Sequence, residues 1–240
     1  LETLKRYSKE KEPLFATKKV INGEKLNDLL NRRAEIEGNI SSILRLNYRL
    51  HMTDEKINKL SSDLASLKPW TVYDVPLDIS ETRFTNIELG VVPSTVNLEN
   101  LKEKLSNLDL PSDISVVNSD RELIYLAVVM IKEGTDDVLG ILKQYGFTQL
   151  PFQGFEGRVS DNIDKITKQI DEQRELRRGI EEEVAGYGKM QHDIEFLSDY
   201  LTMERDRERI KSKMRVTKKT FNFEGWVPSH LKDGVERILD

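Results

Sequence analysis

Phe221-Asn222-Phe223-Glu224-Gly225-Trp226-Val227-Pro228 is the stretch from which the fold is read. It reads as a strand that stops at a rigid Gly-Trp-Val-Pro corner. Directly before it lie about 55 residues of heptad-patterned helix. There Ile166, Ile180, Tyr187, Ile194 and Leu201 share one phase, with Gln173 interrupting it and Ile163, Ile170 and Val184 on the neighbouring stripe. Further upstream, Leu29, Ile36, Ile43, Leu50, Ile57 and Leu64 recur at a strict spacing of seven. Such a repeat makes an apolar seam that needs a partner helix.

Between the two heptad segments the pattern changes. Phe84 to Val92 alternates as a strand, with Ile87, Leu89 and Val91 on one face. A short helix follows, with Leu98, Leu101, Leu105 and Leu108 on one side. Ile114 to Val117 is a second strand, Asn118-Ser119-Asp120 a turn, and Leu123 to Ile131 an apolar run that reads as a central strand. Thr135 is placed to cap a helix that Gly146 ends, and Phe147 to Phe152 is the last strand. The order β-α-β-β-α-β is that of the ferredoxin-like unit.

The predicted class is α+β: a long antiparallel two-helix coiled coil, a ferredoxin-like lobe at the far end and a second, partial α/β lobe at the base. The boundaries read as a base segment over 1–22, an outgoing helix over 23–68 and the distal lobe over 69–157. The returning helix covers 158–216, and the base strand and helix cover 217–240. Residues 1–10 look like the end of a helix that Pro13 breaks, and Asn22 is an N-cap for the outgoing helix. At 1.5 Å per residue that helix would be about 65–70 Å long. Gln153-Gly154-Phe155-Glu156-Gly157 is a hinge-like link. Gly179, Gly186 and Gly188 sit inside the returning helix, where each costs about 1 kcal/mol relative to Ala and marks a bend or soft point.

Gly90-Val91-Val92-Pro93-Ser94 echoes Gly225-Trp226-Val227-Pro228-Ser229, so Gly90, Pro93, Gly225, Trp226 and Pro228 read as structural corners. The apolar phases differ unless a bulge falls near Glu224. Two readings of the echo stand: a duplication, or the common preference of strand-to-helix corners for Gly, Pro and Ser. Trp226 reads either as exposed for a partner or as covered, and cover is favoured because Trp is strongly buried on average.

Only 38% of residues are hydrophobic and 33% are charged. That suits helices that each bury a stripe better than one round core. There is no cysteine, which excludes disulfides and thiolate metal sites. No apolar run reaches the roughly 20 residues of a membrane span. The chain starts at Leu1 and ends at Asp240 within a predicted helix, as a piece of a longer protein would. The net charge of −5 is unevenly spread. Residues 203–219 hold eight Lys/Arg against three acids, a local +5.

No catalytic constellation is legible. His51, His192 and His230 are isolated, without metal-ligand spacing. Gly186-Tyr187-Gly188 does not follow a strand, so it is no phosphate cradle. Glu181-Glu182-Glu183 is expected to be a solvated helix face. The expectation is therefore no catalytic, cofactor-binding or metal residue. The basic run that includes Arg209, Lys211, Lys213 and Arg215 is the one electrostatic feature above background. It reads either as a solvated helix end or as a contact for anionic lipid or an acidic partner. Nucleic acid is disfavoured because no aromatics are interleaved with it.

Phe221-Asn222-Phe223-Glu224-Gly225-Trp226-Val227-Pro228 after Thr217 resembles the Phe-x-x-Glu-Gly-Trp-Val-Pro signature of the cytoplasmic half of subunit I of V/A-type ATPases, the counterpart of subunit a of the vacuolar pump. Leu67-Lys68-Pro69-Trp70, Val75-Pro76-Leu77, Thr82-Arg83-Phe84-Thr85, Leu89-Gly90-Val91-Val92-Pro93 and Tyr145-Gly146-Phe147 resemble it in order and spacing. The resemblance implies a stator arm on the cytoplasmic face of the membrane, linking peripheral stalks to the ion-translocating sector. Implied partners are stalk heterodimers of E and G/H type subunits, the protein's own C-terminal membrane domain and the rotor ring. No small-molecule substrate and no nucleic acid are implied. The family's ion-channel residues belong to the membrane domain, so none carries over. Two other classes are a coiled-coil arm or adaptor of another machine and a ligand-sensing ferredoxin-like module.

Overall fold

The computed structural model describes residues 1–7, 21–213, 215–216, 221–222 and 226–239. Helix α1 is Glu2–Tyr7, α2 is Gly23–Asn31 and α3 is Arg33–Leu67, which a 3-10 turn over Lys68–Trp70 extends. Strand β1 (Thr85–Pro93), helix α4 (Leu98–Ser106), strands β2 (Ser112–Ser119) and β3 (Leu123–Ile131), helix α5 (Thr135–Gln144) and strand β4 (Thr148–Gln149) follow. Then come α6 (Val159–Gly186), a 3-10 turn over Gly188–Met190, α7 (Gln191–Lys213), short strands β5 (Arg215–Val216) and β6 (Phe221–Asn222), and α8 (Lys232–Leu239). The chain divides into two compact units, one of Leu1–Asn47 with Glu182–Asp240 and one of Tyr48–Glu181.

In the second unit, four antiparallel strands lie in the order β2-β3-β1-β4. Two βαβ units are thereby interleaved, and β3 is flanked on both sides. Cover on both faces of the sheet explains why β3 is a nearly unbroken apolar run. Ile124, Leu126, Val128 and Met130 point to one face and pack with Val92, Ile114, Leu101, Leu105, Val138 and Leu142 beneath α4 and α5. Tyr125 and Ala127 point to the other, where Leu67, Trp70, Val159, Ile166 and Ile170 cover them. Asp54 and Arg177 meet at 2.7 Å, while Leu67 lies with Val159. The α3 and α6 segments of this unit are therefore antiparallel.

Local chemistry sets the ends of these elements. Asn97 caps α4, its side chain accepting from the N–H groups of Glu99 and Asn100 at 2.9 and 3.1 Å. Gly146, at φ +77°, follows α5, and the N–H of Phe147 returns to Leu142 O at 3.0 Å, a Schellman closure. The 79–82 segment folds back on β1, with the Ile87 N–H donating to Ser80 O at 2.8 Å. The 153–157 link is tied down, since Leu77 N–H reaches Gly157 O at 2.9 Å and Gly157 N–H reaches Asp78 Oδ1 at 2.7 Å.

Several expectations differ from the structure. Thr135 is the first helical residue of α5 rather than its cap; its hydroxyl donates back to Ile131 O and accepts from Asn86. The last strand is two residues long, because the chain leaves β1 after Leu150 N–H donates to Leu89 O. Strand β2 extends through Ser119 with a bulge at Val117, and the turn moves to Asp120. Gly90 is not a corner. It lies within β1, paired with Leu126, and Phe147 packs on it.

In the first unit, Asn22 caps α2 through Lys25 N–H at 2.9 Å. Arg32 interrupts the outgoing helix, with φ −91° and ψ 7°. Lys25 Nζ stands 5.9 Å from the ring of Phe196, and Arg32 reaches Asp193 at 3.3 Å. The α2 and α7 segments here are thus antiparallel too. Buried apolar residues of this unit include Leu4, Leu29, Ile36, Ile43, Leu46, Val184, Ile194 and Leu197. The returning helix is likewise not continuous, since the 3-10 turn at Gly188–Met190 divides it. Strands β5 and β6 pair antiparallel. The expected features at Pro13, Thr217, Phe223, Glu224, Gly225 and Asp240 lie outside the described residues.

Candidate functional site

The seam positions Leu29, Ile36 and Ile43 of the first unit and Leu50, Ile166 and Ile180 of the second are buried. Ile194 is buried as well, whereas Ile57, Leu64 and Tyr187 are half-buried. Leu201 departs from the expectation: it is 37% exposed. Met203 and Ile210, farther along α7, are more exposed still, at 56% and 58%. Burial on α7 stops one turn short of Leu201, at Leu197; Leu201 itself lines an open groove with Leu1, Glu37 and Ile40.

The three glycines of the returning helix have different surroundings. Gly179 and Gly186 are exposed, and a Cβ on either would meet nothing within 4 Å. Gly188 is buried inside the 3-10 turn. Tyr187 N–H donates to Val184 O at 3.0 Å and Met190 N–H to Tyr187 O at 2.9 Å, so the ladder here is tighter than an α-helix. Beyond the turn, Gln191 is 3% exposed and donates to Glu195. Burial raises the Glu195 carboxyl, but hydrogen bonds from Gln191 and His192, together with Lys5, hold it below its ordinary range. Arg32 bonds Glu35 and lies near Asp193 and Asp28, which push its guanidinium up.

The basic stretch is largely internally paired. Arg205 lies 3.1 Å from Asp206, Arg207 3.5 Å from Glu204 and Lys211 2.6 Å from Glu208. Arg209 has no ion-pair partner among the described residues. The side chains of Lys213 and Arg215, and all of Lys218 and Lys219, lie outside what the structure describes. Glu181 pairs with Arg177. Trp226 is fully exposed, at 103%, so the expected cover is absent among the described residues. Pro228 immediately precedes a 3-10 turn over Ser229–Leu231.

The buried Trp of this chain is Trp70. Its ring is at 0% exposure and meets Tyr73, Tyr125 and Phe152 edge to face at 6.3, 5.7 and 5.3 Å. Asn118 Nδ2 donates to Pro69 O at 2.9 Å, fixing the helix end to the sheet. Sequence pattern marks Pro69-Trp70 as part of a family-like motif and does not place the ring in the core. It also missed Glu88, half-buried on β1, whose carboxylate accepts from Gln149 of β4. A charge alternating with apolar residues on a strand reads as solvent-facing, and the covering residues arrive from 61 positions away. Among the described residues there is no cluster of three metal-ligating side chains, and no helix is long and apolar enough to cross a membrane.

No protein-family model matches the chain. Among curated proteins, it is 24% identical over 175 residues to A-type ATP synthase subunit I of Methanothermobacter thermautotrophicus, a match covering 70% of this chain. It is 24% identical over 160 residues to the subunit I of Pyrococcus abyssi, covering 65% of this chain. Both matches are to the same subunit, to which the chain is similar in sequence. The matches span 26% and 23% of those two subunits, about a quarter of their length. A crystal structure of the cytoplasmic N-terminal domain of subunit I, homolog of subunit a, of V-ATPase aligns with 99% of this chain and 77% of its own, at 19% identity and a TM-score of 0.43. The described side chains assemble packing and ion-pair contacts.

Proposed function

We propose that this chain is part of the stator arm of a rotary V/A-type ATPase, on the cytoplasmic face of the membrane. The observation that carries the reading is the sequence likeness to subunit I. The family-like segments, from Leu67-Lys68-Pro69-Trp70 to Glu224-Gly225-Trp226-Val227-Pro228, support it. On this reading the antiparallel helices are one coiled coil, with a ferredoxin-like lobe at 69–157 and a second lobe at 217–240. The arm joins peripheral stalk heterodimers of E and G/H type to a C-terminal membrane domain beside the rotor ring. It carries load and catalyses nothing. The seam and the turns at Pro93 and Pro228 bear that load. Gly179, Gly186 and Gly188 supply compliance, and Arg209, Lys211, Lys213 and Arg215 supply an electrostatic contact that fades with salt.

Titration of the chain with a cognate stalk heterodimer at two salt concentrations tests this. Binding is expected, and each lobe's contact gains strength from tethering in the assembly. No binding at high micromolar concentration, or ATP hydrolysis by the chain alone, would refute it. A nucleic-acid shift would favour the arm of another machine.

A further inference from the structure

Strand β1 has an incomplete outer edge. On one side of Glu88 the 79–82 segment pairs with it, Ile87 N–H donating to Ser80 O and Thr82 N–H to Thr85 O, each at 2.8 Å. On the other side lies β4, and Leu150 N–H donates to Leu89 O at 2.8 Å. Both segments leave the strand before they meet. Ile79 N–H turns back to Pro76 O at 3.1 Å, and Pro151 has no N–H to give. The N–H and C=O of one strand residue point to the same edge. Ile87 C=O and Leu89 N–H therefore open on the gap at Glu88, and neither meets a backbone partner there among the described residues.

A groove of about 500 Å³ lies over this gap, wholly within the second unit. Leu77 and Ile79 wall one side of it, and Leu150, Phe152 and Phe155 the other. Its charged lining residues are Asp78 and Glu88, and among the described residues no Lys or Arg lines it. The Asp78 carboxylate is engaged by Gly157 N–H at 2.7 Å. Glu88 accepts from the neutral side chain of Gln149, so its charge meets no opposite charge in the groove. An apolar trough with a half-buried carboxylate and two open backbone groups is complementary to a basic, extended chain.

Open backbone groups on a strand edge are a template for another extended segment. A helix cannot use them, because its own ladder occupies its N–H and C=O groups. A residue placed opposite Glu88 projects its side chain on the same face of the sheet, within reach of the carboxylate. Its two chain neighbours project to the other face, where Ile87 and Leu89 stand. We propose that this groove binds an extended segment of a partner protein with an apolar–basic–apolar sequence, its Lys or Arg beside Glu88. The site lies within one unit and does not depend on the stator reading.

Titration of the full chain with acetyl-Leu-Lys-Leu-amide, followed through the backbone amide signals by NMR, tests this. Saturable shifts are expected at Glu88, Leu89 and Leu150. Acetyl-Leu-Glu-Leu-amide should leave those signals in place. Glu88→Gln keeps an acceptor for Gln149 and should weaken binding of the Lys peptide by about threefold or more, as loss of an opposite-charge cross-strand pair does. Glu103→Gln, on α4 and outside the groove, should leave binding unchanged. Equal shifts with the two peptides, or no saturable shift with either, would overturn the proposal. So would shifts at the same amides on concentrating the chain alone, which would make a second copy the occupant.

Discussion

Gly90 and Phe147 pack so closely that a Cβ on Gly90 would overlap the aromatic ring and stand 2.6 Å from the Thr148 carbonyl oxygen. The glycine lets β4 approach β1 and lets Phe147 close the core over Val92 and Leu142. Gly90→Ala should destabilise the chain by about 1–3 kcal/mol through overpacking. Pairing it with Phe147→Leu should recover part of the loss. Denaturant unfolding of the two variants checks this, and an unchanged midpoint for Gly90→Ala would rule it out.

Gly179 is the contrasting case. It lies within α6 with open space around it and without a positive φ. Gly179→Ala should stabilise the chain by about 0.5–1 kcal/mol, from helix propensity and reduced unfolded-state freedom. A lowered melting temperature would show that the glycine meets a constraint of its own.

Ile43 and Leu44 are adjacent on α3, yet Ile43 is 6% exposed and Leu44 64%. Ile43→Asp should cost several kcal/mol by burying an unpaired charge, about 3–5 in the usual range of such losses. Leu44→Asp should cost within about 0.5 kcal/mol, as surface changes do. Equal melting temperatures would contradict the assignment of the buried face.

Burial raises the Glu88 carboxyl, and the hydrogen bond from Gln149 only partly opposes this. A carboxyl whose folded value lies above its unfolded one, about 4.3, detracts from stability at neutral pH. That loss is relieved as pH falls through the folded value. Glu88→Gln keeps an acceptor for Gln149 and removes the charge. It should be at least as stable as the parent at neutral pH and should lose the gain on mild acidification. Stability curves against pH for both chains provide the check.

Asp120 shifts the other way. It accepts from the N–H groups of Glu122 and Leu123, each at 2.8 Å, and from the Tyr125 hydroxyl at 3.0 Å, which together hold its carboxyl below the ordinary range. Its contribution is complete above the unfolded value of about 3.9 and is lost as pH falls through the lower folded value. Asp120→Asn should blunt the acid-side fall in stability of the β2–β3 hairpin. An identical acid limb in both chains would remove the argument.

Local pattern was enough to read much of this chain. The limits of β3 were legible as Leu123 to Ile131 because a strand covered on both faces is apolar on both faces. Asn22 was legible as a cap because its carboxamide acts within three residues. Gly146 was legible as a stop because the left-handed region favours glycine. The likeness to subunit I was legible for a similar reason, in short motifs that are read locally. Tertiary structure alone decided the rest. Gly90 is a glycine because Phe147 arrives 57 positions later, not because the chain turns there. Leu201 keeps the heptad phase and is still exposed, since periodicity marks a face and cannot supply the element that covers it. Trp70 is buried and Trp226 is not, because burial is set by what packs from afar, and composition is the same for both. Leu4 carried no pattern at all; it is buried because folding packs α1 on the turn at Gly188–Met190.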